Sequence, residues 1–397
     1  MKKISIVTFV PVGRGFSGPS DEAASLAEYL HGINALCKIY CPSHKVRTTS
    51  IPEKYFSSLL NKAFLKVLDL GISYLRHLYC FNERRVREEF FDYLVSCSLK
   101  RTNAAASVLL FLKPGFPMTA AVAHGRGIKN IGYSPILHPR FNLEQVRKEE
   151  ARFSVKSTSS YVDPRRVENL TRFFNTIDYL LVESEMVSDT FVKCGVPEIK
   201  IHVLKNVIGV DCERFSPRRG IRDNETFTVL HLSHMSLIKG VGYLFEAWNA
   251  LEHIHGRLVL GGRTSKTVLT VFDKISPSNT VFLGALQDTP EWYNKADVFV
   301  SPSVADKGPY TILEAMACKV PVIASNMCGW SSIIENGKDG FVYQYDDVEA
   351  LRKHILWCSK NRNKLKEMGE HARKKALRFR QEDFAQRIVN KIMRIVF

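Results

Sequence analysis

Asp297-Val298-Phe299-Val300-Ser301-Pro302-Ser303, then Asp306-Lys307-Gly308-Pro309-Tyr310-Thr311-Ile312-Leu313-Glu314-Ala315-Met316-Ala317, then Pro321-Val322-Ile323-Ala324-Ser325 reads as a short apolar run, an acidic loop, a helix and a second apolar run. Apolar runs without polar alternation suit strands buried on both faces of a parallel sheet. The helix between them supplies the crossover. Asp306 and Glu314 stand eight positions apart and straddle the loop-to-helix junction. Ligands of open α/β sheets bind outside the carboxyl ends of the strands. There a loop carboxylate can accept hydrogen bonds from sugar hydroxyls, and one inside the helix can hold the two hydroxyls of a ribose. The free amides at the helix start favour phosphate. Taken alone, the pair is equally well a helix cap, Asp306, and a solvated helix residue, Glu314.

The same alternation runs outward from this stretch. Strand-length apolar runs are predicted at Ile4–Val10, Leu36–Cys41, Ser107–Leu112, Asn130–Ser134, Asp178–Val182 and Lys200–Leu204. A second series follows at Phe227–Ser233, Arg257–Leu260, Thr280–Leu283, Asp297–Val300, Val320–Ser325 and Gly340–Tyr343. Between the two series lies a polar stretch, Phe215-Ser216-Pro217-Arg218-Arg219-Gly220 and on to Asn224, which reads as the interdomain linker. The expected organisation is two doubly wound, Rossmann-like domains in tandem, over residues 1–205 and 206–380. In the last helix, about 381–397, Phe384, Ile388, Ile392 and Ile395 recur at helical spacing, so one face must be buried, and the first domain is within its reach.

With 397 residues, 45% hydrophobic and 24% charged, the chain is globular and is neither disordered nor fibrous. Its formal net charge of +16 calls for anionic partners: nucleic acid, acidic lipid or a phosphorylated substrate. Nine scattered cysteines with no Cys-x-x-Cys argue against a disulfide framework and a structural metal, and fit a reducing, cytosolic compartment. The apolar run Ile4–Val10 is too short for a signal peptide, and no stretch approaches the ~20 apolar residues of a membrane span. A soluble or peripheral protein is expected. Between Ile51 and Cys97, Leu59, Leu60, Phe64, Leu68, Ile72 and Leu75 form an apolar side interleaved with Lys54, Lys62, Lys66 and Arg76. That side is either core or a surface for anionic headgroups at the inner face of the membrane.

The ordered motifs resemble those of retaining glycosyltransferases of family four, the group one transferases of GT-B fold. Their Glu-x7-Glu pattern and PV-AS strand match Asp306 to Ser325. Val207-Ile208-Gly209-Val210-Asp211-Cys212-Glu213-Arg214-Phe215-Ser216-Pro217 looks like that family's linker motif, and Lys239-Gly240 like its lysine–glycine after a strand. Val281-Phe282-Leu283-Gly284 and Trp292-Tyr293-Asn294-Lys295-Ala296-Asp297 complete the series. The likeness is close from about Asp178 to Phe341 and loose over the first 150 residues. It implies that Lys239 contacts the diphosphate of a nucleotide sugar and offsets charge on the leaving phosphate. It implies that Glu314 holds the ribose and that Asp306 faces the donor sugar or the charge at its reacting carbon. A histidine in a first-domain loop commonly faces that sugar; His138 is best placed and His124 is the alternative.

The chain departs from the family at several of these positions. Asp306 is one methylene shorter than the usual Glu, and Lys307 and Gly308 replace Gly-Phe. Pro309 replaces a glycine and has no N–H to give. His234 stands where an arginine is usual, so a permanent charge becomes pH-dependent; Lys307, or Arg263 after Gly261-Gly262, is the candidate substitute among the donor-binding residues. The loop Gly13-Arg14-Gly15-Phe16-Ser17-Gly18 is either a plain turn or a place where Gly15 brings backbone close to a diphosphate. Glu149 and Glu150 read as a solvated helix face, or one of them as a contact to the acceptor. There is no Asp-x-Asp, and Asp346-Asp347 is explained as a helix cap, so no metal and no cofactor beyond the nucleotide sugar is expected. The function expected is transfer of a hexose-type sugar to a glycan, lipid-linked or polysaccharide-precursor acceptor, with retention. The rival readings are an inactive relative acting as a scaffold, an epimerase or phosphorylase on the same fold, and a nucleic-acid-binding protein, although no nucleic-acid module is recognisable.

Overall fold

The computed structural model describes residues 3–8, 12, 18–42, 50–56, 72, 82–101, 106–134, 136–157, 159–204, 209–218, 220, 223, 225–251, 254–379 and 384–396. Among the described residues, twelve strands form two all-parallel sheets of six. The first contains β1 (Ile4–Val7), β2 (Leu36–Tyr40), β3 (Val108–Phe111), β4 (Lys129–Tyr133), β5 (Tyr179–Val182) and β6 (Ile201–Val203), in the order β2-β1-β3-β4-β5-β6. The second contains β7 (Phe227–Leu232), β8 (Gly256–Gly261), β9 (Thr280–Gly284), β10 (Val298–Ser301), β11 (Val322–Ser325) and β12 (Gly340–Tyr343), in the order β12-β11-β10-β7-β8-β9. The residues of β1, β3, β7, β10 and β11 are buried throughout, which is why these strands read as unbroken apolar runs.

Helices cover both sheets. In the first domain they are α1 (Gly18–Gly32), α2 (Glu83–Arg101), α3 (Pro117–Gly125), α4 (Pro139–Phe153), α5 (Pro164–Thr176) and α6 (Glu185–Lys193). In the second they are α7 (Val241–Asn249), α8 (Lys266–Ile275), α9 (Thr289–Lys295), α10 (Tyr310–Ala317), α11 (Val348–Lys360) and α12 (Arg362–Ala376), and α13 (Phe384–Val396) follows. Asp347 caps α11 by accepting from the amide of Ala350 at 2.8 Å, so the Asp346-Asp347 pair is accounted for by capping.

Two elements cross between the domains. The apolar face of α13 (Phe384, Ile388, Val389, Ile392) lies in the core of the first domain with Ala23 and Ala27 of α1. At about 1.5–3 kcal/mol per buried side chain, that face is firmly held. In the other direction, Leu137 and Val146 of the α4 segment join the core of the second domain. Phe153 packs so closely on Gly242 that a Cβ there would lie 2.4 Å from its ring. Lys274 closes this contact with hydrogen bonds to the carbonyls of Phe153 (2.9 Å) and Ser154 (3.0 Å).

The described part of the polar stretch expected to link the domains is instead part of the second. Phe215 is buried in its core, and its carbonyl accepts from Arg373 Nη1 at 2.7 Å. Upstream, Val210 donates its amide to Phe379 at 2.8 Å. Most of the expected apolar side between Ile51 and Cys97 lies outside the described residues. Among the described residues, no helix is long and apolar enough to cross a membrane.

Candidate functional site

The second sheet reverses its winding between β7 and β10, and in sheets of this kind the crevice outside that switch point takes the ligand. After β7 the chain passes His234 and Ser236 into one 3-10 turn, Leu237–Lys239. Gly240 ends this turn at φ 66°, and a Cβ there would lie 1.9 Å from the carbonyl oxygen of Pro302 in the loop after β10. Glycine is what lets the two loops press together. The second loop is fixed by its backbone: the amide of Asp306 donates to Met327 at 2.9 Å, and its carbonyl accepts from Gly329 at 2.8 Å.

Lys239 and Asp306, 67 positions apart in the chain, therefore meet in an ion pair between Nζ and Oδ2. Asp306 also accepts from the amide of Gly308 (3.3 Å) and the hydroxyl of Ser303 (3.4 Å). Burial works against the ammonium of Lys239, but Asp306 more than offsets it and holds the pKa above its ordinary value. Both side chains line a cavity of about 560 Å³ that also takes residues from the first domain, among them Arg84, Asn142 and Tyr161.

Lys307 lines the same cavity and spans the two domains. Its ammonium pairs with Glu183, directly after β5, and Glu183 also accepts from the hydroxyl of Tyr133 at the end of β4. Glu183 is 8% exposed. Burial raises its carboxyl pKa, against the pull of Lys307 and Tyr133. Neither Glu183 nor Tyr133 stood out in the sequence, since each is an ordinary strand-end residue and its partner is distant in the chain.

The other expected site residues separate into groups. His234 is exposed and lines the cavity. Gly308 is buried at φ 152° under Trp330, and its amide is turned to Asp306. Arg263 is exposed on the neighbouring loop after β8, where its carbonyl accepts from the amide of Met235 at 2.8 Å, and its side chain does not line this cavity. Glu314 does not line it either. Its Oε2 accepts from the hydroxyl of Tyr293 on α9 at 2.7 Å, and burial raises its carboxyl pKa. Gly15 lies outside the described residues.

His138 is a correction. It is fully buried, with its ring 5.3 Å from that of Phe191. Pro139 opens α4, so His138 is the N-cap, and its Nδ1 accepts from the amide of Arg140 at 3.2 Å. Burial, then the charge of Arg140, hold its pKa down at about 4. The ring is neutral and walled off from the cavity. The alternative, His124, is exposed at the end of α3. Glu149 is also corrected: it is not solvated but 2% exposed, and accepts from the hydroxyl of Tyr243 across the domain interface at 2.8 Å. Among the described residues, no group of three His, Cys, Asp or Glu side chains is placed to hold a metal ion.

Residues 226–361, which contain both loops of the switch point, match the sequence model of the family described as glycosyl transferases group 1. The second domain belongs to that family. Among curated relatives, this chain is 23% identical over 258 residues to the N,N'-diacetylbacillosaminyl-diphospho-undecaprenol alpha-1,3-N-acetylgalactosaminyltransferase of Campylobacter jejuni, covering 60% of this chain and 68% of that one. The putative glycosyltransferase EpsD of Bacillus subtilis is 31% identical over 188 residues, covering 43% of this chain and 49% of that one. This chain therefore spans about half of the second relative's length. The structure of Anabaena Alr3699/HepE in complex with UDP superposes on 99% of this chain and 100% of its own, with a TM-score of 0.66 and 16% identity. The fold around the group 1 domain is GT-B.

Proposed function

We propose that this protein is a glycosyltransferase that moves a hexose-type sugar from a nucleotide diphosphate to a glycan, lipid-linked or polysaccharide-precursor hydroxyl, with retention and without metal. The observation that supports it most is the meeting of Lys239 and Asp306 in a two-domain cavity at the switch point of a group 1 domain. Its volume of about 560 Å³ is in the range of small-molecule sites. One named relative is an N-acetylgalactosaminyltransferase and the other is named a putative glycosyltransferase, and the superposed structure holds UDP.

In this reading the diphosphate lies against Lys239, whose compact charge offsets that building on the leaving oxygen. The bond from the anomeric carbon to the phosphate oxygen breaks, and one from that carbon to the acceptor oxygen forms. The acceptor's proton passes to the departing phosphate. Asp306 faces the positive charge that develops at the anomeric carbon. Glu314 keeps Oε1 for the ribose hydroxyls while Oε2 accepts from Tyr293.

A thermal-shift screen of UDP-, GDP- and ADP-sugars tests the donor. A true donor at 100-fold its Kd adds about 2.7 kcal/mol of stability, and turnover to free nucleotide separates an enzyme from an inactive scaffold. No shift with any nucleotide sugar would overturn the reading.

A further inference from the structure

The charged side chains that line the cavity, Arg84, Lys239, Asp306 and Lys307, are already matched inside the protein. Lys239 pairs with Asp306, and Lys307 with Glu183. Arg84 bonds Glu88 through Nε at 2.9 Å and also bonds the phenol of Tyr161. What the first-domain wall leaves open is neutral. Asn142, in the first turns of α4, lines that wall and is 3% exposed. Its Nδ2 donates to the carbonyl of Leu137 at 3.3 Å, which fixes the carboxamide, and its Oδ1 has no hydrogen-bond partner. A buried acceptor left unpaired costs stability. In a cavity wall, it calls for a donor on whatever fills the cavity.

The segment after α4 supplies the opposite polarity, through Ser157, Ser159 and Ser160 on the same wall. The amide of Ser157 donates to Glu150 at 2.7 Å, that of Ser159 to Ser157 Oγ at 3.1 Å and that of Tyr161 to Ser159 Oγ at 3.3 Å. Thr267 of α8 ties the segment to the second domain by donating to the carbonyl of Lys156 at 3.0 Å. Backbone amides thus hold the oxygens of Ser157 and Ser159, and their O–H groups are left to donate. Ser160, half-buried at the start of the 3-10 turn Ser160–Val162, makes no side-chain hydrogen bond among the described residues. One buried acceptor beside several fixed neutral donors suits groups that each donate and accept, as the hydroxyls of a sugar ring do. A diphosphate link offers acceptors only and would leave Asn142 Oδ1 unpaired, and a hydrocarbon would strand all of these groups.

We propose that this wall is a subsite for an uncharged sugar ring of the acceptor, in which Asn142 Oδ1 accepts from one ring hydroxyl and the serine hydroxyls donate to others. This rests on the donor assignment above, because it gives Lys239 and Asp306 to the nucleotide sugar and leaves the facing wall to the acceptor. The test is calorimetric titration of the full chain with the methyl glycosides of glucose, galactose, mannose and N-acetylglucosamine in saturating UDP, or in GDP or ADP if the screen selects one. At least one glycoside should bind. Asn142→Leu should weaken it by about fivefold or more, the value of one neutral hydrogen bond, while the Kd values of nucleotide and nucleotide sugar stay within twofold. Ser160→Ala should weaken the same glycoside, and it carries the test if the leucine variant does not fold. One monodeoxy form of that glycoside should bind the native protein as weakly as the parent sugar binds Asn142→Leu. In the variant that deoxygenation should cost nothing further, since the hydroxyl and the carboxamide oxygen are two halves of one bond.

No glycoside binding, or binding equal in the native protein and both variants, would overturn the subsite. Inorganic phosphate that displaces the glycoside from the nucleotide-loaded protein would overturn its neutral character. If Asn142→Leu weakens the nucleotide sugar but not the nucleotide, the ring held here is the donor's and the acceptor assignment falls. If no nucleotide binds at all, the donor reading fails by itself. A glycoside bound by the free protein and weakened by both variants would then still locate the subsite.

Discussion

Replacing Glu149 by Gln should make the protein more stable in mildly alkaline solution than in its native form. Glu149 sits on α4 at the domain interface, with Oε1 accepting from Tyr243 and Oε2 without a partner. Burial pushes its carboxyl up from 4.5 to about 7, only partly countered by Tyr243 and Arg152, while Glu246 and Asp346 add to the rise. Because the folded pKa lies above the unfolded one, the protonated group contributes its full stability below about pH 4.5. That contribution is lost as the pH rises through about 7. A shift of this size corresponds to roughly 3 kcal/mol at about 1.4 kcal/mol per unit. Glutamine keeps the acceptor for Tyr243 and has no proton to lose. Urea midpoints of both proteins should therefore differ by less than about 1 kcal/mol at pH 5 and by roughly 3 kcal/mol, in favour of the variant, at pH 8. A variant less stable than the native protein at pH 8, or an offset that does not change with pH, would mean that Glu149 is ionised in the folded interface and the reasoning fails.

Two further perturbations concern the site. Lys239→Ala should raise the nucleotide-sugar Kd by roughly 10- to 150-fold, the loss of a charge-assisted contact. Asp306→Asn removes the ion-pair partner that competes for Lys239, so it should leave that Kd within threefold while turnover falls by about 10²–10³-fold; calorimetry with steady-state rates separates the two, and equal loss of binding in both variants would reduce Asp306 to a support for Lys239. His138→Asn keeps an acceptor for the amide of Arg140 and should retain transfer within threefold. A folded variant slowed by 100-fold would return His138 to the reaction.

The sheets are legible in the sequence because their inner strands are buried on both faces and carry their own apolar runs. Phe227–Leu232 and Val322–Ser325 are buried at every position, so no tertiary knowledge is needed to find them. The meeting of Lys239 and Asp306 is also legible, because parallel order places the loops after β7 and β10 side by side. The role of His138 was in reach: a proline directly before a helical pattern marks the first helical position and makes the preceding residue its cap. The bond of Glu149 to Tyr243, 94 positions away, and that of Lys307 to Glu183, 124 positions away, leave no mark on local periodicity. Phe215 misled for a related reason. Its polar neighbours read as linker, while the side chain that matters is held by a fold not yet assembled at that point of the chain.

The return of α13 to the first domain has a consequence for biosynthesis. Ala23 and Ala27 of α1, and the residues of β1 beside them in that core, emerge from the ribosome more than 300 residues before Ile388 and Ile392, the side chains that join them there. Domains ordinarily fold as units during synthesis, but here the earlier lobe keeps an uncovered apolar groove while the whole of the later lobe is being made. A nascent chain stalled after Ala376 would display both lobes with that groove open, and would be the species on which chaperones act.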